Sequence, residues 1–237
     1  MPTPAPAGPD RPDVPGITDS SNSSSSSAAP GTVRPGGRTA RVREAVLDAA
    51  GDVLAEAGFE GLDLADIARR AGVGKTTVYR RWGTPAGLAA DLLEDMAAQS
   101  VPRARTGSLA EDLRANARLV VKTLTDPRQG RLFRALIAAS LCDPQTAQAL
   151  HRFYAVRVEE WAGCVTDAVG RGELPAGTDA RAVVSAVSAP LYYSLLNTGE
   201  PLDEAAADRA AAAALAAAQN PTSPFAGGWS LHAYSYA

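Results

Sequence analysis

The sequence predicts an all-α chain of about nine helices, on three observations. Apolar residues recur at spacings of three and four from Thr39 to Asn220, and nowhere with the alternation of a strand. The breaks between these stretches fall at helix punctuation: Gly58, Thr84-Pro85, Asp126-Pro127, Asp143-Pro144, and Gly170 with Gly172. Aromatics make up only 5% of the chain, so the core must pack mainly with Leu, Val and Ala.

The first helix carries Val42, Val46, Leu47, Ala50, Val53 and Leu54 at helical spacing from Thr39 onward and stops at Gly58. A second opens at Asp63, which can cap it with Asp66 three residues on, and buries Leu64, Ile67 and Ala68. Ala71 to Gly74 breaks the pattern, and a third short helix runs from Lys75 to Trp82. Thr84-Pro85 starts a fourth, with Pro85 at the first helical position and Leu88, Leu92 and Leu93 as its apolar stripe. Further helices are expected over about 108–124, 127–141, 144–169, 179–197 and 203–219. Such a set fits one compact helical chain or two closely joined lobes.

Residues 1–38 hold eight of the 17 prolines and a run of serines, without helical or strand period. Such a segment buries too little apolar surface to offset its ordering entropy and is expected to be a disordered arm. Arg34, Arg38, Arg41 and Arg43 close it with no acid between them, which suits either a solvated tail or a basic arm tracking a DNA backbone. The expected organisation is therefore an arm over 1–38, a head over 39–99, a helical bundle over 100–219 and a flexible tail over 220–237. Four aromatics in that tail, Phe225, Trp229, Tyr234 and Tyr236, are the alternative to plain disorder, as a docking element.

With 23 Lys+Arg against 26 Asp+Glu the net charge is −3, which argues against a bulk polycation but not against local positive charge. Between Arg69 and Trp82 there are five cations (Arg69, Arg70, Lys75, Arg80, Arg81) and no acid. They sit where two short helices meet across a Gly-containing turn, over about 62–82, the geometry of a helix-turn-helix whose second helix enters the major groove. Val78 and Trp82, four apart, share the core face of that helix, while Thr76, Thr77, Tyr79, Arg80 and Arg81 point elsewhere. Hydroxyls and guanidinium forks suit phosphates and base edges.

Here the chain resembles the TetR family of one-component bacterial transcription regulators. The resemblance covers about residues 39–93 and rests on Gly58-Phe59, Ile67-Ala68, Ala71-Gly72-Val73, Thr77-Val78-Tyr79, Trp82 and Leu88. It implies a three-helix DNA-binding head, a larger helical ligand-binding and dimerisation domain, and a homodimer on a double-stranded DNA operator. Thr77 and Tyr79 match the family's phosphate-contacting positions, Lys75, Thr76 and Arg80 its base-reading positions, and Arg81 a position often held by His. With Arg41 of the arm, these are the candidate DNA-binding residues. Gly74 stands where the family often has a capping Ser, Thr84-Pro85-Ala86-Gly87 lacks its phosphate-binding Lys, and Asp63 replaces a common Thr.

A weaker resemblance to one C-terminal subgroup rests on Arg171-Gly172-Glu173-Leu174, Pro190-Leu191-Tyr192-Tyr193 and Thr198-Gly199-Glu200-Pro201-Leu202. It implies that the last two helices pair with their symmetry mates, and residues 203–218, with 11 alanines in 16, permit close backbone approach. The family places its ligand inside this domain. The candidates are Asn116, Phe133, Tyr154, Trp161, Tyr192 and Tyr193, for each of which ordinary core packing is the plainer reading, and a pocket lined this way suits a largely apolar or aromatic effector.

Other chemistries find no support. Gly74-Lys75-Thr76 mimics the end of a phosphate-binding loop, but Arg69 stands where that loop needs its first Gly. His151 and His232 have no second ligand at useful spacing, so no metal is expected. Cys142 and Cys164 are read as buried packing residues, Glu159-Glu160 as a solvated face, and no catalytic set or cofactor is expected. The absence of a long apolar run and of a secretory pattern at the start, with only two cysteines, points to the cytoplasm and not a membrane. The expected function is that of a sequence-specific repressor released from a palindromic operator by a small molecule. The alternative is a helical ligand-binding or interaction protein that has lost specific DNA binding.

Overall fold

Helices form where the apolar period runs and stop at the residues that can cap them. The structure, a computed structural model, describes residues 37–220; among these are nine α-helices and no strand. They are α1 (Gly37–Ala57), α2 (Leu64–Arg70), α3 (Lys75–Trp82), α4 (Pro85–Ala98), α5 (Leu109–Thr125), α6 (Gln129–Ser140), α7 (Pro144–Gly170), α8 (Ala180–Tyr193) and α9 (Glu204–Gln219). Asp63, Thr84, Asp143, Asp179 and Asp203 each accept a hydrogen bond from an N–H of the first turn, at 2.8, 3.0, 2.6, 3.0 and 2.7 Å. A cap of this kind is worth about 1 kcal/mol.

The apolar stripes merge into two clusters. Val46, Leu54, Ile67, Val78 and Leu88 of α1–α4 are continuous with Leu132, Phe133 and Leu150 of α6 and α7. The first four helices therefore share their core with the helices beyond residue 99. The second cluster joins α5, the far half of α7, α8 and α9. Each Leu, Ile or Phe withdrawn from water in this way adds about 1.5–3 kcal/mol. In α9, Ala207, Ala210, Ala211, Ala214 and Ala218 are buried, and the helix packs against α5 and α8. Asp208 fastens it to α5 by accepting from Arg118 Nε at 3.0 Å. Ala205, Ala212, Ala213 and Ala216 remain outward.

Several expectations need correction. The first helix begins at Gly37 and not at 39. A 3₁₀ turn at Phe59–Gly61 intervenes before α2, and a π turn at Ser194–Thr198 continues α8. Cys164 is buried, and burial pushes its thiol up to about 11, but Cys142 is exposed because α6 ends at Ser140 and leaves it in the following turn. No helix among the described residues is long and apolar enough to cross a membrane. Of the arm expected over 1–38, residues 37 and 38 belong to α1 and residues 1–36 lie outside the described residues, as do residues 221–237 of the tail expected over 220–237, His232 among them.

Candidate functional site

The outward face of α3 is built by its two flanking turns. Asp63 caps α2, whose other end closes by a double hydrogen bond: Val73 N–H donates to Ala68 O at 2.9 Å and Gly72 N–H to Arg69 O at 3.2 Å. Gly72 sits there at φ 65°, a conformation that favours glycine. Gly74 then starts α3 with no side-chain cap, as its lack of a hydroxyl dictates. Val78 and Trp82 face the core at 0% and 8% exposure. At 100° per residue, Lys75, Tyr79, Thr76 and Arg80 occupy one arc of about 140° that begins beside Trp82 and turns away from the core. All four are exposed, Thr77 is half-buried at the edge of the arc, and Arg41 is exposed on the first turns of α1.

A carboxylate on α4 holds this helix. Asp91 accepts from the Trp82 indole Nε1 at 2.8 Å and from Arg43 Nη2 at 2.6 Å, and Arg43 Nη1 also reaches Asp95. Burial works to raise the Asp91 carboxyl, but the hydrogen bonds from Arg43 and Trp82 and the charges of Arg43 and Arg81 hold it below its ordinary value. Arg43 is thereby a bracket between α1 and α4 and not a member of a basic arm. Gly87 allows the close turn from α3 into α4, since a Cβ there would stand 2.4 Å from the Trp82 carbonyl oxygen.

The five cations of the sequence are not equivalent. Arg70 pairs with Asp66 at 2.9 Å and with Glu56 at 2.8 Å, and Arg69 pairs with Asp66, whose carboxyl these hydrogen bonds hold below its usual range. Arg81 lies 5.2 Å above the Trp82 ring and 4.0 Å from Asp91. Lys75 and Arg80 make no ion pair with any described residue. Where a family Lys is missing at the start of α4, Pro85 has no N–H, Gly87 N–H is taken by Thr84 Oγ1 at 3.0 Å, and Leu88 N–H by the Thr84 carbonyl at 3.1 Å. At most the Ala86 amide is left there for a phosphate.

A cavity of about 450 Å³ opens between α4, α5, α6, α7 and α8. Asn116, Phe133, Tyr154, Trp161 and Tyr192 all line it, but Tyr193, the next residue along α8, is 60% exposed and stands outside. Neighbouring rings form a chain, with centroids 5.5 Å apart for Phe133–Phe153, 5.4 Å for Phe153–Tyr154 and 5.5 Å for Tyr154–Tyr192. Tyr154 Oη is enclosed beside the Tyr192 hydroxyl, and burial pushes its phenol well above its ordinary value. Sequence reasoning missed Arg157, which also lines the cavity. Its position three residues after Tyr154 and four before Trp161 was the available signal. His151 is exposed on α7, and no metal-ligating group of side chains occurs among the described residues.

Comparison with known proteins agrees with this geometry. Residues 46–92 match the family model described as bacterial regulatory proteins, tetR family, and residues 103–214 that of the tetracyclin repressor-like C-terminal domain. Over 162 residues the chain is 32% identical to the HTH-type transcriptional regulator AqdR of Rhodococcus erythropolis, covering 68% of this chain and 78% of that protein. It is 31% identical over 162 residues to the uncharacterized HTH-type transcriptional regulator YdeS of Bacillus subtilis, covering 68% and 81%. The crystal structure of the TetR family transcription regulator SCO0332 superposes with a TM-score of 0.60 at 29% identity, covering 74% of this chain and 97% of that one.

Proposed function

Since this chain belongs to the TetR family of DNA-binding transcriptional regulators, we propose that it is a homodimeric repressor, released from a near-palindromic operator by a small molecule in the helical cavity. The observation that carries this reading is the unpaired polar face of α3, with Lys75, Thr76, Tyr79 and Arg80 outward and Trp82 clamped beneath. In this role Lys75, Thr76 and Arg80 meet base edges, Thr77 and Tyr79 meet phosphates, and Arg41 and Arg81 add charge at the margins. The dimer forms through the outward faces of α8 and α9, where Pro190, Tyr193, Ala212 and Ala216 are exposed. An isologous pair then presents two α3 helices about one DNA turn, roughly 34 Å, apart.

Release follows from the run of α4. Asp91 grips α3 from the middle of α4, and Met96 and Gln99 line the cavity towards its C-terminal end, about 8 and 12 Å along the helix from Asp91 at 1.5 Å per residue. A ligand that prefers a different setting of α4 changes the spacing of the two heads. A tenfold loss of operator affinity requires about 1.4 kcal/mol of such coupling. Selection of bound sequences from random DNA by the full chain tests the reading. A near-palindrome with half-sites one turn apart is expected. No enriched sequence overturns it in favour of a helical ligand-binding protein.

A further inference from the structure

The cavity holds a cation with no carboxylate in ion-pair contact. Arg157 is half-buried in the α7 wall, on the helix face shared by Tyr154 and Trp161. Its guanidinium carries five N–H donors, and its hydrogen bond from Nη2 goes to a neutral acceptor, the Val101 carbonyl, at 3.0 Å. No carboxylate among the described residues pairs with it. The acids nearby are otherwise engaged. Glu160 accepts from Arg103 N–H at 3.1 Å, Glu159 from Arg181 at 2.8 Å, and Asp126 from the amides of Arg128 and Gln129 at 2.9 and 2.7 Å. Ten other arginines do have carboxylate partners: Arg43, Arg69, Arg70, Arg81, Arg103, Arg114, Arg118, Arg128, Arg171 and Arg181. Burial pushes the Arg157 guanidinium below its ordinary value, against the pull of Glu160 and Tyr192. A partly buried guanidinium with no carboxylate in contact costs stability that a bound anion can offset.

Two further polar groups in the same walls have no charged partner. Tyr154 Oη is enclosed, with the Tyr192 hydroxyl as its polar neighbour. Asn116, 4% exposed, makes no side-chain hydrogen bond to a described residue. Around them the surface is aromatic, with Phe133, Phe153 and Trp161. We propose that the effector is an aromatic oxyanion, a carboxylate, sulfonate or phenolate on a planar apolar body, whose charged oxygens are met by Arg157 and whose rings lie against Phe133, Phe153 and Trp161. This assignment rests on the cavity being the effector site and adds the charge that the effector carries. Guanidinium–oxyanion hydrogen bonds are among the strong ones, and a neutral ligand leaves them unmade.

The test uses two fluorescent probes with the same rings, 8-anilinonaphthalene-1-sulfonate and its neutral counterpart N-phenyl-1-naphthylamine, titrated into the full chain. The sulfonate is expected to bind about tenfold or more tighter, as a charged hydrogen-bonded pair implies. Arg157→Met should remove that advantage and change the neutral probe by less than about twofold, and Arg157→Lys should keep part of it. Ser188→Trp, which fills the cavity, should abolish both, with thermal melts confirming that each variant folds. If Ser188→Trp abolishes both but Arg157→Met leaves the sulfonate unchanged, or the intact chain binds the two probes equally, the oxyanion assignment is overturned and the cavity stands. If neither probe binds the intact chain, or Ser188→Trp leaves binding intact, the effector cavity itself falls and the assignment with it.

Discussion

Trp82 on α3 donates its indole N–H to the Asp91 carboxylate on α4 at 2.8 Å, and the same carboxylate binds Arg43 on α1. One side chain thus fixes three helices beneath the candidate DNA-binding face. Removing a partner from a partly buried, charge-assisted set costs about 2 kcal/mol, so Asp91→Asn is expected to lose that much in urea unfolding near neutral pH. The pH dependence has a definite sign. Asp91 in the fold lies below its ordinary value, so the clamp contributes fully above the unfolded value of about 4 and fades as pH falls through the folded one. The gap between the intact chain and Asp91→Asn should narrow in acid; a gap that widens there contradicts the clamp.

The ion pairs of α2 separate its cations from those of α1 and α3. Arg70 is held by Asp66 and Glu56, whereas Arg41 makes no ion pair among the described residues. Arg41→Ala is expected to lower the slope of log affinity for operator against log salt by about 1 per head. Arg70→Ala should leave the slope unchanged. Equal effects of the two would mean that Arg70 leaves its carboxylates for the phosphates.

On α3, neighbouring residues should have separable roles. Tyr79→Phe removes a hydroxyl expected on a phosphate and should weaken all sites alike, by about fivefold. Arg80→Ala should relax base preference at one position of each half-site, where a bidentate contact is worth about 1–3 kcal/mol. Competition binding with single-base operator variants reads both. A uniform loss from Arg80→Ala moves it to the phosphate set.

The outward stripe of α9 is the expected dimer surface, since its inward alanines already pack within the chain. Ala212→Glu places a charge on that stripe without touching the intrachain contact. Light scattering at micromolar concentration should find a dimer for the intact chain and a monomer for the variant. A variant that stays dimeric puts the interface elsewhere.

What the residues disclosed before the fold was seen follows a physical rule. Caps such as Asp63 and Asp143 act within three residues, so both were legible. The Asp91 hub was not, because Arg43 lies 48 residues away and no local spacing links the two. Five of the six candidates chosen as polar or aromatic side chains on helices line the cavity. Tyr193 does not, because adjacent helical residues point about 100° apart and only one of a Tyr-Tyr pair can face inward. Cys142 failed for a related reason: burial at a helix end depends on the exact turn at which α6 stops.

The central claim is that two α3 helices of one dimer read two half-sites. The direct measurement is fluorescence anisotropy of the full chain on the selected palindrome, intact and with one half-site scrambled, at fixed salt. Loss of one specific half-contact should weaken binding by about 100-fold or more, within the span that separates specific from non-specific complexes. Equal affinity for the two DNAs would contradict the claim.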